Sequence, residues 1–280
     1  MIQYLIREPH IDEIYDALIV LYRSFGRLIP SDINDQAKLL ITLINSKIAK
    51  FVIAEWNKSI FGLGAVFLFQ DVCSIGYLSV LPEFRSKGVG TVIFNKLIYS
   101  AKKVGCQTFL LYASKLGEPI YHKFGFRSNY STTIYEFHKN LRNVQNLNDN
   151  VKIVLKMPDW VGKLDLLTMG FDRREFLKIK MNHGSKLIVL AEEGYALVSG
   201  QRIGPIIAKN LDVAVDLIKK GISIGGNHTI VPKHTKFPNR LFDLLDSVEN
   251  ENEVNLKMIY GKNLSQKLDY FYALGTYAKG

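Results

Sequence analysis

The sequence predicts an α/β (α+β) chain of two tandem units, and three observations carry that prediction. Strand-like and helix-like runs alternate along the 280 residues. The apolar run Ile75 to Val80 passes through a glycine-bearing turn directly into a helical pattern. Between His138 and Asn150 five asparagines and few apolar residues mark a linker, and a second alternating set follows it. The expected division is 1–139 for the first unit, 140–150 for the linker and 151–280 for the second.

Composition narrows the class. With 48% apolar and 22% charged residues the chain reads as a globular protein long enough for two cores. The net charge of +10 is spread over both halves: residues 1–147 carry 17 Lys+Arg against 11 Asp+Glu, and the remainder 19 against 15. No block of five or six basic residues occurs. General basicity favours anionic ligands, and no nucleic-acid partner is expected. Cys73 and Cys106 are the only cysteines. They are not in a metal-type spacing, so no metal is expected, and two thiols fit a reducing compartment. Arg7, Glu8, Asp12 and Glu13 interrupt any amino-terminal apolar run, and eighteen consecutive apolar residues occur nowhere. A cytoplasmic protein without a membrane partner is the expectation.

In order, Gln3 to Ile6 reads as a short strand and His10 to Leu21 as a helix burying Ile11, Ile14, Tyr15, Leu18 and Leu21. A second helix follows a Ser31 cap, with Leu39, Leu40, Leu43 and Ile44 as its apolar stripe. Tyr22 and Phe25 read as core aromatics. A meander of Phe51 to Glu55, Ile60 to Phe69 and Ser74 to Val80 comes next, turning at Asn57-Lys58-Ser59 and near Gln70-Asp71-Val72. Gly62, Gly64 and Gly76 permit close backbone approach. Val89, Ile93, Leu97, Ile98 and Ala101 then form a core stripe, Gly105 ends that helix, and Thr108 to Tyr112 is the next strand. A short helix containing Tyr121 ends at Gly125, and Thr132 to Phe137 follows as a strand.

The segment Val80-Leu-Pro-Glu-Phe-Arg-Ser-Lys-Gly-Val-Gly-Thr91 carries the chemistry. Pro82 stops the strand for want of an N–H, and two glycines allow a tight turn. The helix beyond presents unbonded N–H groups from about Gly88 to Thr91 at its positive end, with Arg85 and Lys87 adding full charges. Phosphate or pyrophosphate suits such a site. Neither the dinucleotide fingerprint nor the kinase-type phosphate loop is present.

Val80, Pro82, Arg85, Gly88 and Gly90 at these spacings resemble the acetyl-CoA loop of the GNAT N-acetyltransferase superfamily. Leu110 to Ser114 and Gly117-Glu-Pro-Ile-Tyr-His-Lys-Phe-Gly-Phe126 resemble its second motif. The resemblance implies a mixed, mostly antiparallel central sheet flanked by helices in each unit, and acetyl-CoA as co-substrate. It implies that Leu78, Ser79 and Val80 pair with the pantetheine arm through main chain. Arg85, Ser86, Lys87, Gly88, Val89, Gly90 and Thr91 would hold the phosphates. Tyr121 would be the general acid toward the departing thiolate, and a strand N–H near Val80 the oxyanion donor. Ser74 to Val80 lacks the carboxylate many members use as base; Glu55, Asp71 and Glu118 are the nearest acidic residues by motif position. His122 reads as solvent-facing, and Cys106 as a small packing residue.

Beyond the linker, strands are expected at Val151 to Leu155, Leu187 to Leu190, Tyr195 to Val198, Arg202 to Ala208, Thr229 to Val231 and Val254 to Tyr260. Helices are expected around Leu211 to Ile218 and Leu241 to Leu245. Phe171-Asp-Arg-Arg174, Ile203 to Ala208 and Met258 to Gly261 resemble the second GNAT-like domain of a two-domain branch. That domain lacks a phosphate loop, which implies a role in shaping the acceptor site. Asp172 reads as a helix N-cap with Glu175 returning the bond, or as an acceptor contact; Trp160 and Tyr270 to Tyr272 line a pocket or pack. The expected activity is acetyl transfer to a primary amine of a small molecule or peptide. A CoA-binding sensor or scaffold and a tandem-GNAT aminoacyl or peptidyl transferase are the alternatives.

Overall fold

The computed structural model describes residues 4–137, 147–233 and 247–278. They form two compact units, one over Met1–Leu111 and the other over Tyr112–Ala278. In the first, β1 (Leu5–Arg7) leads through a single 3-10 turn into α1 (Ile14–Ser24), then α2 (Ile33–Asn45). The meander is β2 (Ala49–Trp56), β3 (Ser59–Phe69) and β4 (Val72–Val80), and α3 (Val89–Lys103) crosses over to β5 (Thr108–Ala113). The sheet runs β1-β2-β3-β4-β5; only β4 and β5 are parallel, as a helical crossover requires. Asn57 and Lys58 adopt left-handed φ of 48° and 63°, which gives the two-residue turn a twist that matches its strands.

Three expectations shift here. Asp32, rather than Ser31, precedes α2 as its cap residue. Ile11 and Tyr15 stay exposed because α1 buries Ile14, Ala17, Leu18 and Val20 instead. Phe25 lies on the surface, 55% exposed, beyond the end of α1 and not in the core.

The second unit holds α4 (Glu118–Lys123), β6 (Arg127–Phe137), β7 (Lys152–Val154), α5 (Asp159–Met169) and α6 (Arg174–Asn182). It continues with β8 (Lys186–Leu190), β9 (Gly194–Ser199), β10 (Arg202–Ala208), α7 (Leu211–Ser223), β11 (His228–Pro232), β12 (Ser247–Gly261) and β13 (Phe271–Ala273). Its sheet runs β12-β6-β11-β10-β9-β8-β7, with β13 also on β10. The α7 crossover makes β10 and β11 the parallel pair. Strand β6 bonds β11 on one edge and β12 on the other, which places it in this unit. Of the linker only 147–150 are described, and Asn148 Nδ2 there donates to Asp216 Oδ2 at 2.7 Å. The helix expected at Leu241 to Leu245 lies outside the described residues.

Sequence periodicity does not reveal α5. It buries Asp165 and Thr168 beside Val161, Leu164 and Met169 while exposing Leu166 and Leu167, which blurs the amphipathic pattern. The buried carboxylate has a polar cause. Arg173, with its side chain wholly buried, donates from Nε and Nη2 to the two carboxylate oxygens of Asp165 at 3.1 and 2.6 Å, and Tyr195 Oη donates to the same carboxylate. Burial pulls the Arg173 guanidinium toward neutrality and the Asp165 charge more than restores it. Asp172 is not the N-cap: Arg173 occupies that position, and the Asp172 carboxylate accepts from Arg174 N at 2.9 Å and from the Arg174 guanidinium.

Candidate functional site: the β4–α3 turn

Gly62 and Gly64 let α3 lie close on β3. A Cβ at Gly64 would stand 2.7 Å from Leu97 Cδ1, and one at Gly62 would stand 3.2 Å from Ile93 Cδ1. Phe94, which the apolar-stripe reading overlooked, is fully buried beside them in sequence. The β3–β4 register is continuous from Phe69↔Val72 to Ala65↔Gly76, then shifts before Leu63↔Ser79. Tyr77 and Leu78 therefore oppose Gly64 together, a bulge in which Tyr77 takes φ 60°. The parallel β4–β5 ladder stops at Ile75↔Leu111, so Gly76 to Val80 continue along β3 alone.

That divergence exposes main chain. Leu81 N donates to Phe61 O at 2.9 Å, and since alternate residues of a strand direct their N–H groups to opposite edges, the Val80 N–H faces away from β3. Next to it, Ser79 Oγ is buried and has no hydrogen-bond partner among the described residues. A buried hydroxyl without a partner costs about 1–3 kcal/mol, which an incoming amide or carbonyl would recover.

The turn itself is anchored by Phe84, which packs on Phe61 with ring centroids 4.4 Å apart and reaches Trp56 at 6.0 Å. Ser86 and Gly88 have φ of 60° and 77°, and Gly88 is the residue from which α3 starts. Gly90 lies in the first turn of α3, where a Cβ would meet only Val80 Cγ2, at 3.9 Å. The protein's own packing thus leaves room for a side chain at Gly90. The room left there, beside N–H groups without helical partners, fits a bound anion such as a CoA diphosphate.

The two cationic side chains of the loop are exposed, and each donates to main-chain carbonyls of the protein. Arg85 Nε donates to Val80 O at 2.9 Å and its Nη2 to Ser24 O. Lys87 Nζ donates to Glu83 O at 3.1 Å and lies 5.5 Å from the Phe84 ring centroid. Leu78, Ser79, Val80 and Arg85 to Thr91 form one contiguous strand end, turn and helix start.

Tyr121 belongs to the second compact unit and is buried in α4. Gly117, one turn earlier, leaves space for it: a Cβ there would lie 3.0 Å from Tyr121 Cε2 and 3.4 Å from Oη. Phe126 packs on the ring at 6.1 Å, and burial raises the phenol pKa to about 12. His122 faces outward as expected, with Nε2 3.3 Å from Glu118 Oε1 and Nδ1 3.1 Å from Phe126 O.

None of the acidic residues named from motif position stands as a free base. Glu55 Oε2 accepts from Arg7 Nε at 2.8 Å and Nη2 at 2.5 Å, and Glu13 binds the same guanidinium. Asp71 precedes Val72, so the length of β4, roughly 25–30 Å at strand rise, separates it from Val80. Glu118 is tied to His122. Cys106 is buried, and its Sγ donates to Gln70 O at 3.8 Å. Among the described residues no group of three His, Cys, Asp or Glu is arranged to hold a metal, and no helix is long and apolar enough to cross a membrane. The Ser24 acceptor of Arg85 went unnoticed in the sequence, where 61 positions separate the two residues and no local pattern links them.

Comparison with known proteins agrees with this geometry. Two models described as acetyltransferase (GNAT) domains match residues 31–138 and 161–273. A Pyrococcus horikoshii protein assigned as an acetyltransferase superposes with a TM-score of 0.91 at 26% identity, over 99% of this chain and 96% of its own. A tandem GNAT protein from the clavulanic acid biosynthesis pathway gives 0.63 at 12% identity, over 92% and 98%. A GCN5-related N-acetyltransferase from Kribbella flavida gives 0.59 at 14%, over 95% and 72%. No protein of the curated set matches the chain in sequence. With one domain model on each half and whole-length superposition on a tandem relative, the chain belongs to the two-domain GNAT acetyltransferase family and is an acyltransferase.

Proposed function

We propose that this acyltransferase uses acetyl-CoA and transfers the acetyl group directly to a primary amine of a small molecule or peptide, in the cytoplasm and without a metal. In this reading residues 1–139 form the acetyl-CoA domain, 140–150 the linker, and 151–280 a degenerate GNAT-like domain that shapes the acceptor site. The observation that carries it is the β4–α3 turn, where a Cβ at Gly90 would meet little of the protein and Ser79 Oγ is buried without a partner. The N–H groups from Gly88 to Thr91 would hold the diphosphate, and the main chain of Leu78 to Val80 the pantetheine arm. When bound, acetyl-CoA supplies an activated thioester.

Val80 N–H, directed away from β3, would donate to negative charge developing on the acyl oxygen. Presenting a neutral amine of pKa near 10.4 at about pH 7.4 costs ~4 kcal/mol. Since Glu55 and Glu118 are engaged and Asp71 is distant, water or a pocket that lowers the amine pKa would carry that burden. Tyr121 suits a hydrogen-bond donor better than a full proton donor. Its pKa of about 12 exceeds a thiol's ~8.5 by enough that complete transfer costs ~5 kcal/mol.

Calorimetric titration with acetyl-CoA and with dephosphorylated pantetheine tests the reading: micromolar binding of the first and loss of affinity for the second are expected. Tyr121→Phe should lower kcat about 100-fold on a reactive amine while the acetyl-CoA Kd stays unchanged. The engaged carboxylates favour one second reading, a CoA-binding sensor, which would show binding with no turnover on any member of an amine panel.

A further inference from the structure

We infer that Arg85 is a positioning residue, a latch between the β4–α3 turn and the surface segment 25–30, and not a ligand of phosphate. The inference rests on the proposed occupancy of that turn by CoA. It starts from what the guanidinium touches. Its Nε–H is given to Val80 O at the end of β4, and its Nη2–H to Ser24 O, the carbonyl of the last residue of α1. A planar fork of fixed N–H directions can hold two carbonyls from two elements at once, which the rotating point charge of lysine cannot.

Ser24 O is a strong acceptor for a stated reason. The local bonds closing α1 run from Phe25 N and Arg27 N to Tyr22 O and from Gly26 N to Arg23 O, and they leave the Ser24 carbonyl to the guanidinium. It lies at the negative end of the helix dipole, where a cation is favoured. From this point hangs a segment with little packing of its own. Phe25 is 55% exposed, Leu28 93% and Ile29 43%, and Arg27 lies over the Phe25 ring at 5.9 Å. At its root Tyr22 Oη donates to Gln36 Oε1 at 2.7 Å, between α1 and α2. With these apolar side chains in solvent, the hydrogen bonds at its ends contribute to holding the segment.

Arg85 sits immediately before Ser86, and Ser86 and Gly88 are the two left-handed residues of the turn. A diphosphate drawn to the N–H groups from Gly88 onward fixes that turn, hence the Cα of Arg85, hence the guanidinium on Ser24 O. Occupancy of the turn therefore restrains segment 25–30, and restraint of the segment favours occupancy by the same free energy.

Tryptic cleavage of the Arg27–Leu28 bond, followed by mass spectrometry, reports on the segment while calorimetry reports on the turn; CoA is the probe in both. In the wild type CoA should slow this cleavage about fivefold or more, in the usual range of coupling between sites. In Arg85→Ala and in Arg85→Lys that protection should vanish while the CoA Kd rises only by the factor of protection lost, equally in the two variants. Lysine separates the two roles without relying on one variant's folding, because it keeps the charge a phosphate ligand needs and loses the fork. A residue important only for stability would raise cleavage equally with and without CoA, which would overturn the latch. So would protection surviving in either variant, or a tenfold or greater affinity loss in Arg85→Ala with a shallower salt dependence. Absence of CoA binding to the wild type would overturn the functional reading and the coupling with it; binding without protection would overturn the latch alone.

Discussion

Replacing Gly88 and Gly90 together by aspartate should abolish acetyl-CoA binding in calorimetric titration while the protein stays folded; that is the outcome the proposed phosphate cradle requires. Two carboxylates placed against a diphosphate repel it and fill the space its oxygens need. The fold itself loses little. A Cβ at Gly88 meets nothing within 4 Å, and the penalty is that of a non-glycine residue at φ 77°, about 1–2 kcal/mol. At Gly90 a Cβ meets only Val80 Cγ2, and an acidic residue in the first turn of α3 interacts favourably with the helix dipole. Gly90→Ala alone sharpens the experiment. In a helix that exchange stabilises by roughly 0.5–1 kcal/mol, so the melting temperature should hold or rise as affinity falls. Unchanged binding in the double variant would remove the phosphate cradle from the mechanism.

Removing the Asp165 carboxylate should cost the fold most. In Asp165→Ala the Arg173 guanidinium is left in a wholly buried site without its bidentate partner, and Tyr195 loses its acceptor. Lys257, buried nearby with its pKa lowered to about 8 by desolvation and then by the Arg173 charge, adds a second cation to the same interior. Breaking a buried pair from one side costs about 3–5 kcal/mol, a large part of a domain's stability. Denaturant unfolding should show the free energy of unfolding fall by that amount, with a correspondingly lower midpoint. Asp165→Leu combined with Arg173→Met should recover much of it, because no charge is then stranded. A single variant as stable as the wild type would show that water reaches the guanidinium.

The parts of this chain legible from sequence were those governed by local rules. The β2–β3–β4 meander follows alternation and turn chemistry, and the strand-turn-helix around Gly88 follows from a proline stop and two glycines. Where long-range contacts decide, sequence reading stopped. Helix α5 was hidden because its buried face is chosen by Arg173, so that Asp165 points inward and Leu167 outward. Residue type alone places Phe25 in the core, but the chain turns at Gly26 and leaves it in solvent. The motif marks Arg85 without showing which groups of the protein it bonds. The carbonyl it bonds belongs to a helix far upstream, which no spacing rule reaches.

Strand β6 has a consequence for anyone dividing this protein. Both its edges are hydrogen-bonded within the second unit, to β11 and to β12, yet it precedes the asparagine-rich stretch at which the chain invites cutting. A fragment beginning after that stretch would carry a sheet with its inner strand missing. The facing edges of β11 and β12 would then present rows of unsatisfied N–H and C=O groups, open to pairing with other copies. The asparagine-rich stretch separates two family domains in sequence without separating two bodies that can each be purified alone.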